Sequence, residues 1–121
     1  DLVVRTAADR IIDVHFHRCE HVTLAIIEPA HARHLALCPD RKLPVLMRGD
    51  HISSVDYAAQ RFASSPSVCR VVAALALVVN SFLERHLARL FLMYHRPPYP
   101  TRVFEDEVAA RAWLRGLIET T

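Results

Sequence analysis

Nine consecutive residues, Val71 to Val79, carry no polar side chain. A run that short cannot cross a membrane as a helix, which takes about 20 apolar residues. Following Arg70 directly, it reads as a strand covered on both faces, which places it at the centre of a sheet flanked by helices. The rest of the chain has to supply those neighbours.

Leu2 to Ala7 and Arg10 to His17 read as a hairpin joined by a tight turn at Ala8-Asp9. In the second strand Ile12, Val14 and Phe16 alternate with Asp13, His15 and His17, so one face is apolar and the other polar. Thr23 to Cys38 has a helical pattern that Pro29 divides. Either Thr23 caps a helix kinked at Pro29, or Val22 to Ile27 is extended and Pro29 opens a shorter helix. Pro39 to Lys42 breaks the segment before a short apolar strand, Leu43 to Met47. Gly49-Asp50-His51 is a loop, and Ser53 with Asp56 approximates a capping box that opens a helix with Val55, Ala59 and Phe62 on one face. Ser64 to Ser67 ends it.

Beyond the apolar run, Ser81 and Glu84 form a second capping box, starting a helix to about His95 that Arg96-Pro-Pro-Tyr-Pro100 stops. Arg102 to Phe104 is a last short strand. Asp106 caps a final helix from Glu107 to Ile118, with Ala110, Trp113, Leu114 and Leu117 inward. The predicted order is β-β-α-β-α-β-α-β-α, an α/β fold with a mixed sheet of about five strands and flanking helices. Residues 1–121 are expected to form one domain, which at this mass can bury about two-thirds of its unfolded surface.

With the order in place, the chain resembles the STAS-like superfamily of anti-sigma-factor antagonist domains, and within it a group of small stand-alone bacterial proteins without an established function. The resemblance rests on Val22-Thr23-Leu24, on Pro44 to Gly49, on Arg70 to Val79, on Pro100 to Phe104 followed by Asp106-Glu107, and on Ala112-Trp113-Leu114. It implies a first helix that begins at Thr23. It also implies a phospho-acceptor position at Ser53 or Ser54, because signalling members carry such a serine where the helix after the third strand begins. Here Ile52 stands where those members have an acidic residue and Val55 where they have a glycine. Ser53 is better read as a plain N-cap, for which serine is a preferred residue.

Several side-chain groups are candidates for function. Gly49, Asp50, His51, Ser53 and Ser54 would meet an anion at a helix start, where unpaired N–H groups and the helix dipole attract negative charge. Asp13, His15 and His17 share one strand face, and a His-x-His pair can place two imidazoles on one metal. No distant residue is marked as a further ligand, so no metal and no other cofactor is expected. Glu28, His31 and His34 read as a solvated stripe. On the helix over 81–95, Leu83, Leu87, Leu90 and Tyr94 should pack on the sheet. Phe82, His86, Arg89 and Met93 then form a second stripe towards solvent, with Arg96 and Tyr99 as neighbouring anchors.

Nucleophilic catalysis is poorly supported. Gly49 and Gly116 are the only glycines, which rules out a Gly-x-Ser-x-Gly elbow and a phosphate-cradling loop. Cys38 and Cys69 read as inert apolar residues. Three widely spaced cysteines without a Cys-x-x-Cys, and no signal-peptide pattern at the start, lead to a cytoplasmic expectation. A net charge of +2, with the arginines spread along the chain, implies no nucleic-acid partner and no membrane insertion.

The expected function is a non-enzymatic interaction module, a homodimer or the binder of another protein, using the helix over 81–95. The alternatives are a small-ligand or anion sensor, or phospho-acceptor, at Ser53, and a metal-dependent enzyme on Asp13, His15 and His17.

Overall fold

The computed structural model describes residues 2–6 and 9–119. Its elements, in chain order, are β1 (Leu2–Thr6), β2 (Ile12–Phe16), β3 (His21–Val22), α1 (Leu24–Leu37), β4 (Leu43–Gly49) and β5 (Ser54–Val55). They continue as α2 (Tyr57–Phe62), α3 (Pro66–Cys69), β6 (Val72–Val78), α4 (Phe82–His95), β7 (Thr101–Phe104) and α5 (Glu107–Glu119). Ala7 and Ala8, where the hairpin turn was expected, lie outside the described residues.

The main sheet runs β1-β2-β4-β6-β7, with β1 antiparallel to β2 and the others parallel. The apolar run therefore lies between two parallel neighbours, as its lack of polar side chains requires. Because β2, β4, β6 and β7 advance in one direction across the sheet, crossovers of a single hand put α1, α2 and α4 on one face. On that face Ile12, Val14, Phe16, Val45 and Leu75 gather with Ile26, Ile27 and Phe62 of the helices. The other face belongs to α5, whose Ala110 and Leu114 are fully buried against Ala74, Ala76 and Val78. The small side chains of Ala74 and Ala76 let that helix lie close to the strand. Among the described residues no helix is long and apolar enough to cross a membrane.

One open choice closes as the resemblance implied, and three local expectations change. First, Thr23 is the residue before α1, extended at φ −113° and ψ 166°, and its carbonyl accepts the N–H groups of Ile26 and Ile27. Pro29 lies inside one helix, so the two-piece alternative falls. Second, Glu28, His31 and His34 are not a solvated stripe: Glu28 is exposed, His31 half-buried and His34 buried. His34 follows Ala30 by one turn along the inward line of α1, so its ring turns to the core.

Third, Ser53 does not start a helix. The backbone N–H groups of Ser53 and Ser54 both donate to the Glu20 carbonyl, 2.7 and 3.1 Å away, and Ser54-Val55 pairs in parallel with His21-Val22. Asp56 takes the cap instead, accepting the Ala59 N–H at 2.7 Å. The serines after the helix also differ from expectation, since Ser65 caps the short α3.

Fourth, α4 is rotated from its predicted phase. Its inward line is Glu84 and Ala88, with Leu87 and Phe91 half-buried, whereas Leu83 and Tyr94 face solvent. The reason is a carboxylate. Ser81 Oγ caps the helix by accepting the Glu84 N–H at 3.1 Å. The Glu84 carboxylate does not return to Ser81, as a capping box would have it. It accepts the N–H of Asn80 at 2.8 Å and that of Ile52 at 2.9 Å.

Candidate functional site

Two places on the molecule bring candidate side chains together. The first lies at the carboxyl ends of β2 and β4. Their parallel register pairs His15 with Arg48 and Phe16 with Gly49, so the two loops leave the sheet side by side. The Asp50 N–H donates to the Phe16 carbonyl at 3.3 Å, which ties the loops together. Asp50 Oδ1 then lies 2.7 Å from His15 Nε2, and Oδ2 lies 3.5 Å from His17 Nδ1. Arg18, in the left-handed region at φ 53°, bends the chain so that its N–H reaches Asp50 Oδ2 at 3.4 Å. The His15 hydrogen bond outweighs the cost of partial desolvation and, with the Arg18 N–H and the charges of both histidines, holds the Asp50 carboxyl below the usual aspartate range. The two imidazole rings are 3.7 Å apart between centroids.

Asp13 is not part of this group, although it shares the strand face with His15. It is buried and ion-paired with Arg111 of α5, and Arg5 lies 3.5 Å from its other oxygen. Arg111 also binds Asp9 at 3.0 Å. Burial alone would raise the Asp9 carboxyl, but the hydrogen bonds and charge of Arg111 hold it below its usual value. The proposed Asp13, His15 and His17 set is therefore corrected: α5 claims the first residue, and Asp50 joins the other two.

The second place is a cavity of about 230 Å³ on the opposite face of the sheet. Its floor includes Val45, Met47, Leu75 and Leu77, α1 and α2 contribute Ile27, Ala30 and Ala59, and Leu87, Ala88 and Phe91 of α4 roof it. Polar atoms are few. Glu84 is committed to the two amides above. His34, with 4% of its surface exposed, has an Nε2 with no hydrogen-bond partner among the described residues. Burial, with a smaller contribution from His31, lowers the His34 pKa to about 4 despite a hydrogen bond with the Val71 backbone. His31, at the same wall, is 2.7 Å from Ser67 Oγ through Nε2 and stacks edge-on against Phe62. Burial first, and then the charge of Arg70, lowers its pKa too. Both rings are neutral at pH 7.

The remaining candidates are dispersed. Gly49 ends β4, and a Cβ there would come within 2.6 Å of Ile52 Cγ1, so the glycine makes room for Ile52 rather than for a phosphate. His51 and Ser53 are exposed, and Ser54 Oγ is 2.7 Å from His21 Nδ1. Phe82, His86, Arg89, Met93 and Arg96 all stand on the outside of α4 or just past it. Tyr99 does not join them: it points inward, lines the cavity and donates its hydroxyl to the Ala63 carbonyl at 2.7 Å. Sequence reasoning missed Leu83 and Tyr94 as outward residues and His34 as an inward one. The one-turn spacing of His34 from Ala30 was the available signal.

The family model for a domain of unknown function (DUF7793) matches residues 6–118. The chain belongs to the DUF7793 family. Among solved structures, this DUF7793 chain is similar to an uncharacterized protein from the DUF3478 family of Shewanella loihica PV-4, described as having a SpoIIAA-like fold. The likeness has a TM-score of 0.60 at 13% identity and covers 94% of this chain and 92% of that one. It shows the fold, which is STAS-like. A protein with unknown function from Arthrobacter sp. FB24 is 28% identical, with 92% of this chain and 90% of that one covered and a TM-score of 0.32. No curated protein matches.

Proposed function

We propose that this DUF7793 domain binds a small, largely apolar molecule beneath α4, with one neutral polar group of the ligand meeting His34. The observation that carries the reading is a cavity of about 230 Å³ with apolar walls, lined in part by His34, whose Nε2 is buried without a hydrogen-bond partner among the described residues. Scaled from a cavity of about 150 Å³ that takes benzene, this one admits about nine non-hydrogen atoms. A carboxylate would have to leave water for walls whose Arg48 is already ion-paired with Glu107, so a phenol, alcohol or amide suits His34 better.

Thermal unfolding with p-cresol and with toluene tests this. A ligand at about 100 times its Kd adds about 2.7 kcal/mol, which raises Tm by about 10 °C for a domain this size. Both probes should raise Tm, p-cresol more. Ala88→Leu, which fills the space from the helix side, should remove both shifts. Unchanged melting of the natural chain with either probe, or shifts that survive Ala88→Leu, would overturn the reading.

A second reading concerns the outer face of the same helix. Phe82 is 84% exposed, Met93 69% and Tyr94 70%, with Leu83 beside them. Large apolar side chains grouped on one exposed helix face support an interface, here with a second copy of the chain. Sedimentation should then give a dimer that Phe82→Glu with Met93→Glu converts to a monomer. A natural chain that sediments as a monomer at high concentration would remove this reading.

A further inference from the structure

We infer that His15, His17 and Asp50 form a binding site for one divalent transition cation, separate from the cavity and on the other face of the sheet. One donor atom from each residue lies within 4.8 Å of the others. Donors arranged tetrahedrally at about 2.0–2.1 Å from zinc are about 3.4 Å from one another. The His17 Nδ1 to Asp50 Oδ2 separation of 3.5 Å already fits that spacing. The His15 Nε2 to Asp50 Oδ1 separation of 2.7 Å is shorter because the two share a proton in a hydrogen bond. Cation binding replaces that hydrogen bond: His15 Nε2 gives up its proton, and Asp50 turns one oxygen to the ion.

The site is held by the fold rather than by chance. His15 is in β2, His17 follows two residues later on the same face, and the Asp50 backbone is anchored to the Phe16 carbonyl. The Arg18 N–H on Asp50 Oδ2 orients the carboxylate, the kind of outer partner that fixes a metal ligand. Two imidazoles and one carboxylate favour zinc, cobalt or ferrous iron over the all-oxygen sets of calcium and magnesium. Three protein ligands with half-exposed His17 and Asp50 leave coordination positions open to water or an exchangeable ligand.

The test is cobalt(II) titration of chelator-treated protein, followed by visible absorption and by equilibrium dialysis, with zinc as competitor. One ion per chain is expected, displaced by zinc. Asp50→Ala and His17→Ala should each weaken it at least tenfold, while His51→Ala and His86→Ala, which alter exposed histidines outside the cluster, should leave it unchanged. Circular dichroism checks that each variant folds. Asp50→Asn, which keeps an oxygen for the His15 hydrogen bond, serves if Asp50→Ala does not. No saturable ion, or affinity untouched by the Asp50 change, would overturn the inference. So would a thiolate-to-cobalt charge-transfer band, since it would assign the ion to Cys19 or another cysteine. None of these outcomes depends on ligand binding in the cavity.

Discussion

Replacing Glu84 by alanine should destabilise the fold by about 3–5 kcal/mol, because two hydrogen bonds to a charged group are lost and their donors stay behind. The carboxylate is 5% exposed and accepts the N–H of Asn80 at 2.8 Å and of Ile52 at 2.9 Å. Those amides come from different parts of the chain, the turn into α4 and the loop after β4. One side chain therefore fastens the helix to the loop that follows Gly49. Alanine would also release Ile52, a wall of the cavity that lies over Gly49. Glu84→Gln retains one acceptor oxygen and should recover about half of the loss. Ser81→Ala, which removes only the cap, should cost about 1 kcal/mol. Urea unfolding at pH 7 measures all three, and amide exchange should show Ile52 and Asn80 losing protection in the alanine variant. A loss of only about 1 kcal/mol for Glu84→Ala would mean that water satisfies the two amides and the fastening is not there.

The same residue shows what a sequence pattern can and cannot carry. Val71 to Val79 is legible as a central strand because continuous apolarity has few other uses at that length. The alternation of Ile12, Val14 and Phe16 marks a strand with one wet face, and the structure gives that face to α5 and its ion pairs. The phase of α4 was not legible. Leu83, Leu87, Leu90 and Tyr94 make a good apolar stripe, and periodicity weighs only hydrophobicity. A carboxylate with two backbone donors waiting for it outranks that stripe, and neither donor is marked by its side chain. Ser53 failed for a related reason. Ser53 and Asp56 both favour caps, and the choice was made by the Glu20 carbonyl, more than thirty residues away in sequence, which engages the backbone of Ser53 and Ser54. The cation site was half legible. His15-x-His17 was visible and so was the Asp50 loop, but only the pairing of Phe16 with Gly49 joins them.

Acid should expose the cost of keeping His34 inside. The folded chain holds this imidazole neutral, with its pKa lowered from 6.5 to about 4, while the unfolded chain protonates it at the ordinary value. As pH falls below 6.5 the unfolded state binds the extra proton, so stability declines until pH reaches the folded value. Over that window the loss is about 3 kcal/mol. His31, lowered in the same direction, adds to it. Asp9 contributes separately: its depressed carboxyl lends stability above the ordinary aspartate value and withdraws it as pH falls through the folded one. Comparing the natural chain with His34→Leu cancels the contribution of Asp9 and leaves that of His34 together with its coupling to His31. At pH 7 the variant loses the Val71 hydrogen bond as well as the unpartnered nitrogen, and its stability relative to the natural chain should rise by about 3 kcal/mol between pH 7 and pH 4. Parallel stability curves would mean that His34 takes a proton as readily in the folded chain as in the unfolded one. A buried histidine that costs stability as the pH falls stands at the cavity wall, where a ligand can use it. His34→Leu should therefore weaken p-cresol far more than toluene, because only p-cresol has a hydroxyl to give the nitrogen. Equal weakening of the two would leave the cavity apolar in function as well as in lining, with His34 outside its recognition.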